Sequence, residues 1–144
     1  MSRALPTLIR LRRRALDEAV QDLAESVATE TKRRQAVAGL QAQIGHEAAL
    51  ASRDTDLWND ALGAWLPGAR LALQAARESE RKAADDTELA RASVVAARAE
   101  LESVETFAGR EVEAAAALAA RAAQHALDEF AQRAGRGTKA KGGW

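Results

Sequence analysis

The sequence predicts an all-α protein, a long antiparallel two-helix coiled coil whose second helix extends beyond the first. Three observations predict it. Two seven-residue series run through the stretch from Leu66 to Leu118: Leu66, Leu73, Glu80, Thr87, Val94, Leu101, Ala108 and, offset by three residues, Ala69, Ala76, Ala83, Ala90, Ala97, Val104. Large residues on one rung and mostly alanine on the other make a narrow apolar stripe. Such a stripe buries against one partner helix and is too thin to form a globular core. A second ladder lies upstream at Ile9, Leu16, Leu23, Glu30, Val37, Ile44 and Ala51. Between the two, Arg53-Asp54-Thr55-Asp56 is a short polar break that can cap a following helix.

Composition agrees with that class. Ala, Leu, Glu and Arg dominate, and aromatics are 3% of the 144 residues, so few large side chains exist to fill a thick core. No cysteine is present, which excludes a disulfide framework and a Cys-based zinc site. Lys plus Arg and Asp plus Glu are both 21, so no bulk charge pulls the chain toward nucleic acid. The charge is uneven along the chain. Residues 1–14 hold Arg3, Arg10, Arg12, Arg13 and Arg14 with no acid, and residues 133–144 hold Arg133, Arg136, Lys139 and Lys141 with no acid. No apolar run reaches the roughly 20 residues needed to span a bilayer. The N-terminal charges follow the apolar patch, an order that does not fit a secretory signal. A cytoplasmic protein is expected, able to dock at the membrane through a membrane protein.

The first helix is expected over about residues 5–52. Pro6 suits its first turn, where a proline loses no helical hydrogen bond. Besides the ladder from Ile9, a second series four residues on is expected at Arg13, Val20, Val27, Arg34, Gln41 and Ala48. Gly39 and Gly45 weaken this helix by about 1 kcal/mol each relative to alanine. The turn is expected at about 53–57 and the second helix over about 57–134. Pro67 removes a backbone donor and crowds the carbonyl of Gly63. A kink at 63–68 is expected, because Leu62 and Leu66 keep the heptad phase; the alternative is a short helix 57–65 and a fresh start at Pro67. Gly135 is the expected stop, with 135–144 a disordered basic tail after a single domain over 1–134.

A turn centred on Thr55 sets Ile9 against Leu101, Leu16 against Val94, Val37 against Leu73 and Ile44 against Leu66. The same register sets Val20 against Ala90 and Val27 against Ala83. Its weak layer is Glu30 opposite Glu80, with Thr87 near Leu23; Arg33 and Arg34 are close enough to neutralise the two carboxylates. A polar layer of this kind costs stability and can fix register. The first helix is exhausted opposite about residue 105. Beyond it the second continues for roughly 29 residues, on the order of 43 Å. A lone apolar stripe including Val112, Leu118, Leu127 and Phe130 in that overhang calls for an external partner.

Little here reads as chemistry. His46 and His125 lie on different helices without ligand-spaced neighbours, and no phosphate loop or nucleophile elbow occurs. Two packed helices offer no walled pocket to shift a carboxylate. Neither an enzyme nor a cofactor or metal requirement is expected. Trp58 and Trp65, seven apart with Asn59 and Leu62 between them, are either packing at the hairpin tip or a binding patch, since exposed tryptophans anchor interfaces. Arg10, Arg12, Arg13 and Arg14 are either a solvated face or a docking cluster.

At the C-terminal end, Leu127-Asp128-Glu129-Phe130-Ala131-Gln132-Arg133-Ala134 precedes the basic tail. That segment, after a hairpin of this length, resembles the flagellar export protein FliJ family, whose members end in a similar Asp-Glu-Phe-Ala-Gln-Arg-like segment. The tryptophan-containing stretch from Ser52 to Leu66 adds to the resemblance. Pro67 early in the second helix, and tryptophan where tyrosine or phenylalanine is common, depart from the family pattern.

The resemblance implies a stalk in the hexameric flagellar export ATPase FliI, entered by the end that holds both termini, and contacts with the export gate protein FlhA and with export chaperones. On that analogy, Arg10, Arg12, Arg13, Arg14, Phe130 and Arg133 would meet the ATPase ring. Trp58, Leu62 and Trp65 would meet the gate. A stalk of a virulence-type secretion system and a structural homodimeric coiled coil are the alternatives.

Overall fold

The computed structural model describes residues 3–53 and 56–141; the side chains of residues 56–58 and 139–141 lie outside that description. Two helices account for the described chain, α1 (Ala4–Arg53, 50 residues) and α2 (Asp56–Lys141, 86 residues). They pack against each other as an all-α hairpin, and no strand occurs among the described residues. The expected turn falls mainly on residues 54 and 55, outside the described residues. The chain divides into two units, Arg10–Glu100 and the pair of segments Met1–Ile9 with Leu101–Trp144.

In the unit Arg10–Glu100 the helices run antiparallel. The Arg12 guanidinium donates from Nη1 to Glu100 Oε2 at 2.6 Å, linking early α1 to late α2. Arg34 Nε lies 3.7 Å from Glu80 Oε1. Both crosslinks fall within four residues of the pairs expected for a turn at Thr55. Among the described residues the buried apolar ones are Val37, Ala51, Ala69, Ala83 and Val94, every one on an expected ladder. With so few large residues and so much alanine, the helices bury a seam rather than a core.

The second α1 series is corrected. Arg13, Val20, Val27, Arg34, Gln41 and Ala48 are all exposed. The covered positions are instead Arg12, Ala19, Ser26, Leu40 and Glu47, each three residues after a first-series residue rather than four, while Arg33, three after Glu30, stays exposed. Positions three and four residues on lie to opposite sides of a helical stripe, and only the side turned to α2 is covered. Val20 and Val27 are more apolar than Ala19 and Ser26, but they sit on the uncovered side.

The polar layer forms. Arg34 donates from Nη2 to Glu30 Oε1 at 3.1 Å and also reaches Glu80, so one guanidinium bridges the two facing carboxylates. Next to it Thr87 is only 1% exposed, the most covered residue of the seam. Its hydroxyl donates to the carbonyl of Ala83 at 2.9 Å. A buried hydroxyl without a partner would cost about 1–3 kcal/mol, and bonding back one turn avoids that loss.

α2 is continuous through Pro67, so the fresh start at that residue is ruled out. Gly63, whose carbonyl loses its usual partner to the proline, has open space where a side chain would be. The expected stop at Gly135 is also corrected, because α2 runs on to Lys141. A glycine ends a helix by taking a left-handed backbone, and no described glycine has positive φ. The basic stretch 136–141, expected to be disordered, is therefore helical.

In the second unit Leu5 and Ile9 are partly covered, as are Leu101, Val104, Ala108 and Glu111. Every residue from Val112 to Thr138 is exposed. No described helix is long and apolar enough to cross a membrane.

Candidate functional site

The segment from Val112 to Thr138 exposes four large apolar side chains with no covered residue among them. Val112 is 70% exposed, Leu118 65%, Leu127 63% and Phe130 73%. A helix this rich in alanine can persist without packing, because alanine loses the least on entering a helix. Polar pairs one turn apart add support: Gln124 Nε2 donates to Asp128 Oδ1 at 3.1 Å, and His125 Nδ1 lies 3.8 Å from Glu129 Oε1.

At 100° per residue, Val112, Leu127 and Phe130 share one side of this helix, while Leu118 lies about 120° around from Val112 and Phe130. The expected stripe is thus corrected at Leu118. Sequence reasoning also missed its remaining members, Ala116, Ala119, Ala123 and Ala134, which fill the same side and are exposed. The missed signal was spacing. Val112, Ala123 and Ala134 are eleven apart, as are Ala116 and Leu127, and Ala119 and Phe130. The heptad of the hairpin gives way here to an eleven-residue repeat. Gln124 and Asp128, with His125 and Glu129, occupy the opposite side.

The four clustered arginines do not act alike. Arg10, Arg13 and Arg14 are exposed. Arg12 is half-buried on the seam, bonded to Glu100, and its Nε is buried without a partner. It is a hairpin residue rather than a member of a solvated face. Arg133 is exposed.

At the tip end of α2, Leu62 and Trp65 line an open concavity of about 220 Å³ with Gln43, Glu47 and Ala61. Leu62 is half-buried and Trp65 is 36% exposed, so the ring serves both as tip packing and as accessible surface. The side chain of Trp58 lies outside the described residues. Two other open grooves carry charge of one prevailing sign: Arg34, Arg77 and Arg81 around one, Asp22, Glu25 and Asp86 around the other. Among the described residues no group of three or more His, Cys, Asp or Glu could hold a metal ion. The arrangement is suited to docking helices and charged surfaces.

Comparison of the chain with protein-family models, curated proteins and solved structures gives no match.

Proposed function

We propose that this chain is a cytoplasmic stalk component of the flagellar type III export apparatus, with its terminal helix in the pore of the FliI-type ATPase ring. The reading is supported above all by the 27 exposed residues from Val112 to Thr138. Such a helix gains little from showing Val112, Leu127 and Phe130 to water, and an enclosing partner would cover them. The FliJ-like segment from Leu127 to Ala134 lies in this same stretch. Phe130 and Arg133 are the proposed pore contacts. Arg10 and Arg14 are the proposed partners of acidic groups on the ring, setting approach and orientation. Arg12 and Arg13 are left out of that set because each is already engaged within the chain.

The tip, through Leu62, Trp65 and Trp58, is proposed to meet the FlhA export gate, and export chaperones are further proposed partners. Alanine at both tryptophans should weaken gate binding by more than about 2 kcal/mol if they are anchors. Unchanged binding with lowered stability would assign them to tip packing alone.

Truncation after Ala108 tests the ring reading. The truncate should keep its helical signal by circular dichroism, fail to be pulled down by the cognate export ATPase, and no longer stimulate ring assembly. Full stimulation by the truncate would rule the terminal helix out.

A further inference from the structure

We propose that residues 112–134 form a second interaction site, at which two copies of this chain pair antiparallel. The inference does not rest on the export reading. It rests on the geometry of one exposed helix side and on the charge at its two ends.

The side consists of Val112, Ala116, Ala119, Ala123, Leu127, Phe130 and Ala134, all exposed. Steps of four, three and four residues repeat along it, so the pattern recurs every eleven. At 100° per residue eleven residues overshoot three full turns by about 20°, whereas seven fall short of two turns by about 20°, so over roughly 34 Å this stripe drifts in the opposite sense to the heptad seam that joins α1 to α2. A stripe of one drift matches another of the same drift and not the heptad seam, and the same segment of a second molecule carries a matching one.

Side-chain size then decides the direction. Antiparallel pairing about Ala123 sets Phe130 over Ala116, Leu127 over Ala119 and Val112 over Ala134. Each large residue meets a small one, and the layers interlock at close helix separation. Parallel pairing in register would set Phe130 against Phe130 and Leu127 against Leu127, while alanine faced alanine and left gaps. Loss of contact in such gaps is felt directly as lost packing energy.

Charge selects the same direction. At its start Glu111 and Glu113 outnumber Arg110, and past Asp128 and Glu129 it closes on Arg133 and Arg136. Antiparallel copies bring the acidic start of each beside the basic end of the other. Parallel copies put like charges together at both ends. The polar pairs Gln124–Asp128 and His125–Glu129 lie on the far side and are left undisturbed. The contact is small and alanine-rich, so it belongs with weak interfaces, dissociating in the micromolar range or above. If the export reading also holds, the ring and the second copy compete for the same residues, and the pair is the form of the chain outside the ring.

Absence of native cysteine makes the test direct. Full-length chain alone should sediment as a monomer–dimer mixture at about 100 μM. Leu127→Asp with Phe130→Asp should reduce the dimer fraction at least tenfold at unchanged helical signal. A short bis-maleimide should crosslink Ala123→Cys to itself. Ala134→Cys alone should give no dimer, but an equal mixture with Val112→Cys should give one. A chain that stays monomeric at that concentration, a dimer that survives the double aspartate, or self-crosslinking of Ala134→Cys would each overturn the proposal. These measurements involve no ATPase, so their failure leaves the export reading to its own pull-down.

Discussion

Thr87 and four valines of the hairpin show how little of this fold depends on hydrophobicity alone. Val37 and Val94 are 7% exposed, while Val20 and Val27 are 46% and 41% exposed. Alanine at Val37 or Val94 should cost about 2 kcal/mol, the transfer term for a buried valine plus the space left behind. Alanine at Val20 or Val27 should change stability by less than about 0.5 kcal/mol. Urea unfolding of the four variants separates the covered ladder from the exposed one. Thr87 is held by fit, and its hydroxyl bonds only within α2. Thr87→Val keeps the shape and removes the polar group, so it should be neutral or slightly stabilising. Thr87→Leu should lose about 1–3 kcal/mol through overpacking. Equal loss in both variants would mean that the hydroxyl itself matters to the seam.

Along each helix, the residues expected to weaken or kink it are accommodated within a continuous helix. Gly39 and Gly45 in α1 have no atom within 4 Å of where a side chain would start, and no described glycine has positive φ. Alanine at either should therefore raise stability by about 0.5–1 kcal/mol, measured as an upward shift in the unfolding midpoint. Pro67 sits inside α2 and is exposed. Its interior cost is about 3 kcal/mol, against which it restricts the unfolded chain by up to about 1 kcal/mol. Pro67→Ala should thus gain about 2 kcal/mol. A net loss would show that the proline sets a bend on which packing at the tip depends.

Stability should differ along the molecule as coverage does. Residues from Val112 to Thr138 have no cover, whereas both helices of Arg10–Glu100 share a seam. Limited trypsin should cut after Arg121 and Arg133 well before Arg77 or Arg91, because uncovered helix opens at little cost. Mass analysis of the first fragments checks the order, and early cleavage at Arg77 would contradict it. Much of the fold was legible. Both α2 ladders and the Ile9 ladder are covered where the seven-residue spacing puts them, since a repeat carried through many turns can face only one partner. The candidate site was half legible. Large residues flagged Val112, Leu127 and Phe130, while the intervening alanines passed unnoticed because alanine is everywhere in this chain.

Periodicity and punctuation in the sequence were enough for two helices, their antiparallel order and the polar layer at Glu30 and Glu80, because these depend on local spacing and on a single break in the chain. The second α1 series needed the partner. Residues three and four positions on are equally good continuations of a stripe, and only the placement of α2 covers Arg12, Ala19 and Ser26 while leaving Arg13, Val20 and Val27 in water. The end of α2 was likewise decided in the folded chain. Glycine permits a helix to stop without requiring it, and at Gly135 the backbone continues in the right-handed helix.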